Sequence, residues 1–203
     1  LFSSFYKKSK IENEFNEMTL KFSDFSLVVR AYDDGAAYRS ISHSKNPFIV
    51  KEEVASFSFA AGSKAWMPYV SQHKETLESQ LFNSCESVYA HSELTDWDKN
   101  SLAFMPVLVD LDKGRKVCIM EADLFDYPGM FLYNGEADSQ LEGYFARRPK
   151  EVQRGGHNNL QKLVISREDY IAECKAYAAF PWRILSVSEN DAQMADNDMV
   201  YRP

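Results

Sequence analysis

Along most of this chain apolar and polar residues alternate in short runs, the period of half-buried β-strands rather than of helices. Residues 18–22 alternate, and 25–31 read as a strand. Asp33-Asp34-Gly35 is a turn signal, and 37–41 return as the partner strand, so the first unit is a hairpin. Alternation resumes over 47–59, broken by Lys51-Glu52-Glu53, and a turn at 60–63 leads into a strand over 65–70. Residues 71–100 are polar and weakly patterned, the kind of long irregular stretch that often serves function or an interface. A second hairpin is expected from 103–111 and 116–124, bracketing Asp112-Lys113-Gly114. Strands at 130–133 and 141–145 flank a turn at 135–138. Residues 147–159, basic and Gly-rich, read as a loop, 160–165 as a strand, and Ser166-Arg167-Glu168-Asp169 as the capped start of a short helix. A strand over 183–187 precedes an acidic helix within 188–197. The pattern predicts one mainly β domain over residues 1–203, an antiparallel β-sandwich with a few short helices and no internal linker or repeat.

Composition narrows the reading. With 203 residues the chain can bury a sizeable core, and 45% hydrophobic residues argue against disorder. A net charge of -7 argues against nucleic acid as a partner, since phosphate binding needs a concentrated basic surface. Cys85, Cys118 and Cys174 form no CxxC pair, so zinc and thioredoxin-like readings are weak, and their disulfide status stays open. The start, Leu1-Phe2-Ser3-Ser4-Phe5-Tyr6-Lys7-Lys8, holds no apolar run long enough for a signal peptide or a membrane span. It also lacks an initiator Met, which reads as a trimmed start.

Four features carry candidate chemistry. Glu121, Asp123 and Asp126 form a carboxylate cluster; on a strand, 121 and 123 share one face, where two carboxylates can shift one another's pKa and act as acid and base. The competing reading is a solvated strand face that ends in a turn, with Pro128 presetting φ and Gly129 taking the positive φ of a type II turn. His43, His73, His91 and His157 are scattered without metal-ligand spacing and read as loop and surface residues. Arg147, Arg148, Lys150 and Arg154 make a small basic patch, read as an interface or solvated loop. The Arg154–Asn159 stretch lacks the strand-to-helix context and the Lys-Ser/Thr of a phosphate loop. Trp66, Trp97 and Trp182 can stack on sugar rings, although in a sheet protein at least two belong to the core or a domain interface.

The string Glu121-Ala122-Asp123-Leu124-Phe125-Asp126-Tyr127-Pro128-Gly129-Met130 resembles the N-terminal domain of glycoside hydrolase family 97, a family of exo-acting α-glucosidases and α-galactosidases. Three further stretches, 29–39, 101–109 and 180–183 through 197–200, look like the same domain in the same order. The resemblance implies a galactose-mutarotase-like super-sandwich that begins partway into the family's domain. It also implies a catalytic (β/α) barrel elsewhere in the same polypeptide, and an oligosaccharide with a terminal α-linked glucose or galactose as that enzyme's substrate. On this expectation the domain is non-catalytic, packs on the barrel, and lends one carboxylate to an active-site calcium. Glu86, in Cys85-Glu86-Ser87-Val88-Tyr89, looks like that ligand, with Glu78 second and Glu75 nearby. Calcium needs several hard oxygen ligands, so one carboxylate would hold it weakly without the barrel. A periplasmic or secreted location, no membrane span, and pairing of two copies through an exposed sheet edge complete the expectations. A free-standing carbohydrate-binding or adhesive module is the alternative, recognisable by a row of exposed rings on one sheet face.

Overall fold

The computed structural model describes residues 8–70, 76–81, 87–135 and 137–203. Strands β1 (Asn16–Lys21), β2 (Phe25–Tyr32) and β3 (Gly35–Ser42) form an antiparallel meander, followed by the short strands β4 (Phe48–Val50), β5 (Ser56–Ser58) and β6 (Lys64–Met67). Helix α1 (Leu77–Gln80) precedes β7 (Ala90–Glu93), β8 (Val107–Asp110) and β9 (Lys116–Ala122). The hairpins β10 (Met130–Asn134) with β11 (Gln140–Phe145) and β12 (Pro149–Gly155) with β13 (Gln161–Arg167) come next, then β14 (Ala172–Cys174), β15 (Trp182–Ser188) and α2 (Asp191–Asp196). Among the described residues no helix is long and apolar enough to cross a membrane.

The architecture is the expected antiparallel sandwich. An eight-stranded sheet runs in the order β1-β2-β3-β15-β9-β8-β6-β7. Its inner face, carrying Ala65, Met67, Val107, Val109, Ile119 and Leu185, packs on Phe57, Met130, Leu132, Leu141 and Phe145 of the smaller β10-β11-β5 sheet. Alternation along each strand produces this layer, because side chains two residues apart share a face. The outer face forms a smaller core of Val28, Tyr32, Ala37, Trp182, Ile184 and Met199. Asn190 starts α2 by accepting a hydrogen bond from the Gln193 amide at 3.0 Å, an N-cap that satisfies one orphan donor.

β15 lies between β3 and β9, and it is covered on both faces. At its contact with β3 the chains come so close that a Cβ on Gly35 would sit 2.4 Å from the Leu185 carbonyl oxygen. Only glycine fits the return of the first hairpin. The opposite half of the sheet is tied by Asp110, which accepts from Lys116 Nζ at 2.6 Å, His91 Nε2 at 2.7 Å and Trp66 Nε1 at 3.1 Å, joining β6, β7, β8 and β9. Burial alone would raise the Asp110 pKa, but these donors, Lys116 first, hold it below its ordinary 3.8.

Three expectations change. Residues 147–159 do not form a loop: β12 occupies most of them and pairs with β13. β12 is exposed along almost all its length, so no buried face imposes the alternation that would have marked it. No helix starts at Ser166–Asp169: Ser166 and Arg167 end β13, and Glu168 and Asp169 lie in the irregular segment that follows. At the acidic corner Gly129 does not take a positive φ. Asp123 (φ 60°) and Asp126 (φ 53°) do, in the left-handed region that aspartate tolerates. Gly129 instead leaves room for Glu121, whose Oε1 would lie 3.3 Å from a Cβ placed there. β1 is an edge of the large sheet, with Met18 and Leu20 exposed.

Gly35→Ala should lower stability by about 1–3 kcal/mol, the usual cost of an overpacked core position, read from a urea midpoint. Asp110→Asn should be less stable than the parent at neutral pH. Because the folded pKa of Asp110 is depressed, its contribution is present above 3.8 and lost as pH falls through the lower folded value, so the gap should close in acid.

Candidate functional site around Arg183

A single arginine stands in the apolar run Trp182-Arg183-Ile184-Leu185, and the sandwich buries it to 1% exposure. A guanidinium taken out of water must be paired and hydrogen-bonded. A loop and the end of a strand supply the partners. Glu53, between β4 and β5, grips it as a two-toothed fork, with Nε to Oε1 and Nη2 to Oε2 both at 2.8 Å. Glu121, at the end of β9, accepts from Nη1 at 2.7 Å and from the Met130 amide at 3.2 Å. The Phe145 ring lies 5.0 Å from the guanidinium carbon.

Two carboxylates share one cation, so the centre carries a surplus negative charge. Burial raises the pKa of Glu121 above its ordinary 4.5, and the attraction of Arg183 only partly offsets this. Burial works against the Arg183 charge too, but the hydrogen bonds and charge of Glu53 leave it raised. Tyr127 packs against Phe180 (ring centroids 5.2 Å apart) and Phe145 (6.4 Å), and burial with the neighbouring Glu53 charge pushes its phenol up. A cleft of about 370 Å³ opens beside the centre, lined in part by Tyr38, Arg39, Phe48, Glu53, Phe180 and Arg183.

The expected carboxylate cluster is not gathered. Glu121 faces inward to Arg183. Asp123 lies beyond the strand in a left-handed turn, where it accepts from Arg39 Nη1 at 3.0 Å. The reversal of the chain at 123 breaks the period-two rule that would have set the two on one face. Neither the acid–base pair nor the solvated face describes Glu121: it is a structural counter-ion. Glu53 and Arg183, which complete the centre, carried no motif. The only local signal was a charged residue inside a run apolar enough to be buried on both faces.

Glu86, the expected calcium ligand, lies outside the described residues, as do Glu75, His73 and Cys85. Glu78 is engaged elsewhere, with Oε1 2.5 Å from Arg167 Nε and Oε2 accepting from the Tyr144 hydroxyl at 3.1 Å. Burial and that carboxylate push the Tyr144 phenol up to about 12. Among the described residues no group of three or more His, Cys, Asp or Glu is placed to hold a metal ion. His43 Nε2 lies 2.8 Å from Ser26 Oγ, His91 stacks on Trp66 with ring centroids 4.2 Å apart, and His157 sits in an exposed turn. In the basic patch Arg148 pairs with Glu173 at 3.4 Å, Lys150 with Glu168 at 3.9 Å, and Arg154 donates to the Asn159 carbonyl at 2.8 Å. Trp97 and Trp182 are buried, and Trp66 is the exposed one. The Trp182 ring lies 4.7 Å from the Arg30 guanidinium and 4.4 Å from that of Arg39. Cys118 and Cys174 are free thiols, and burial pushes Cys118 up to about 11.

Fold and site together define an antiparallel β-sandwich domain organised on a buried ion-pair centre. A family model, the glycosyl-hydrolase 97 N-terminal domain, matches residues 2–202, and the chain belongs to that family. A retaining α-galactosidase from Bacteroides thetaiotaomicron is 41% identical over 201 residues, which is 98% of this chain and 30% of that protein. A glycoside hydrolase family 97 enzyme from Pseudoalteromonas sp. strain K8, solved with acarbose, has a TM-score of 0.63 at 15% identity over 93% of this chain and 28% of its own. A β-arabinopyranosidase has a TM-score of 0.62 at 15% identity over 88% of this chain and 31% of its own. These structures share the fold. The chain spans less than a third of each relative's length.

Urea unfolding of three variants should rank the parts of the centre. Arg183→Met, which strands two carboxylates, should cost the most, about 3–5 kcal/mol or more. Glu53→Gln should follow, and Glu121→Gln should cost least. Since the folded pKa of Glu121 is raised, the parent should lose part of its stability as pH rises from 4.5 through that value, and Glu121→Gln should abolish this component.

Proposed function

We propose that this chain is the non-catalytic N-terminal domain of an exo-acting α-glycosidase, a retaining enzyme that releases terminal α-linked galactose, with glucose as the second choice of sugar. The observation that carries the reading is 41% identity over 98% of the chain to a retaining α-galactosidase of which it covers 30%. The carboxylates of the Arg183 centre support an accessory role. A retaining glycosidase needs two carboxyl groups about 5–5.5 Å apart across an open sugar site, and here Glu53 and Glu121 are locked on a buried guanidinium. In this proposal the domain packs on a catalytic barrel in the same polypeptide. Calcium enters as one carboxylate, Glu86, offered to an ion whose other oxygens come from that barrel.

The test uses the domain and the full-length polypeptide side by side on nitrophenyl α-galactoside and α-glucoside, with calcium titrated by calorimetry. The domain should turn over neither substrate and bind calcium no tighter than about millimolar. The full-length enzyme should be active, should lose activity to a chelator, and should need more calcium after Glu86→Gln. Turnover by the domain alone would overturn the accessory reading. An unchanged calcium requirement in Glu86→Gln would remove that residue as the ligand.

A further inference from the structure

Two segments beside the Arg183 centre expose their tips. In residues 51–55 the Val54 side chain is 92% exposed. This segment stands as a ridge between two clefts, one of about 370 Å³ beside Tyr38 and Phe180, the other of about 340 Å³ beside Tyr133 and Tyr144. In residues 123–129 Phe125 is 78% exposed and Leu124 41%. Large apolar side chains held outward around one centre mark a contact face rather than scattered surface residues.

The face is also built to hold its shape. Asp123 and Asp126 both take left-handed backbone on either side of Leu124 and Phe125, a conformation aspartate tolerates and that contacts here hold in place. Those contacts are Arg39 on Asp123, Arg183 on Glu121, and the packing of Tyr127 on Phe180 and Phe145. Charge adds a second property. Glu53 and Glu121 share Arg183, Glu52 lines the same cleft, and Arg39 beside it is matched by Asp123. The face is therefore rigid, apolar at its tips and anionic between them.

We propose that this face, with Val54, Leu124 and Phe125 at its tips, is where the remaining part of the same polypeptide docks. That part presents an apolar surface to the three side chains and a basic group to Glu52. The inference rests on the reading of the chain as one domain of a longer glycosidase. The occupant follows from length: the chain makes up 30% of its α-galactosidase relative and 28% of a family 97 enzyme of known structure, so most of such a polypeptide lies outside this sandwich and needs a surface on it. Other exposed apolar positions fit less well. Trp66 is already stacked on His91 and bonded to Asp110, and Leu160 stands at the tip of a ribbon dressed with ion pairs.

Hydroxyl-radical footprinting of the full-length polypeptide tests this without any variant. Leu124 and Phe125 should be oxidised several-fold more slowly than Tyr177 and Leu160, which are exposed on other parts of the domain. The pair Val54→Asp and Phe125→Asp, placed where neither side chain supports the core, should restore oxidation of Leu124. A reactive Phe125 with protection at Leu160, or at Trp66 and Tyr89, would overturn this face while leaving interdomain packing intact. Full reactivity at all of these positions would overturn the face and the packing reading together. Protection of Leu124 that survives the double substitution would overturn the role of these side chains.

Discussion

One buried cation organises this domain. Arg183 sits in β15, between the first hairpin and β9, and points into the sandwich where water cannot reach it. A guanidinium in that position is tolerable only if its donors are met, and the strands beside it offer a single carboxylate. The second comes from the segment between β4 and β5, 130 residues earlier in the chain. Pairing therefore pins the β4–β5 segment to the end of β9 and sets the shape of the surface above them. Burial keeps the Glu121 pKa raised even with Arg183 beside it, and that desolvation is the physical cost of the arrangement.

The other face of the same strand is governed by a related constraint. Trp182 is covered by the guanidiniums of Arg30 and Arg39, cations that reach it from the neighbouring hairpin. Arg39 in turn holds Asp123, so the turn after β9 is tied to β3 as well as to β15. The four stretches that carry the family resemblance lie on β2–β3, β8, the end of β9, and β15 with the segment after it, five adjacent strands of one sheet. Three of them, all but the β8 stretch, are joined at the Arg183 and Trp182 contacts. Relatives at 15% identity retain the same architecture, which places the fold's determinants in strand order and layer packing more than in particular side chains.

This organisation bears on the division of labour in a family 97 polypeptide. Of the carboxylates that look catalytic in the sequence, Glu121 and Asp123 are counter-ions in the structure, and Glu121, locked on a buried guanidinium, is poorly placed to exchange protons with a substrate. What the domain offers outward is a rigid surface.

Much of the sandwich could be read directly from residue order. Alternation marked the hairpin at Asp33-Asp34-Gly35 and the one at Asp112-Lys113-Gly114, because a half-buried strand must place apolar side chains at every second position and a tight turn demands special backbone. The exposed β12 left no such trace, since neither of its faces is buried enough to select residues, whereas its half-buried partner β13 was legible as the strand over 160–165. The motif at Glu121–Met130 identified the family but gave Glu121 the wrong surroundings. Its partners depend on which strands lie side by side and on the reversal at Asp123, and both arise from long-range pairing. By itself the sequence determined the local periods, the turns and the family. Only the tertiary structure decided which charges meet, because a buried ion pair is chosen by the packing that removes its water and not by distance along the chain.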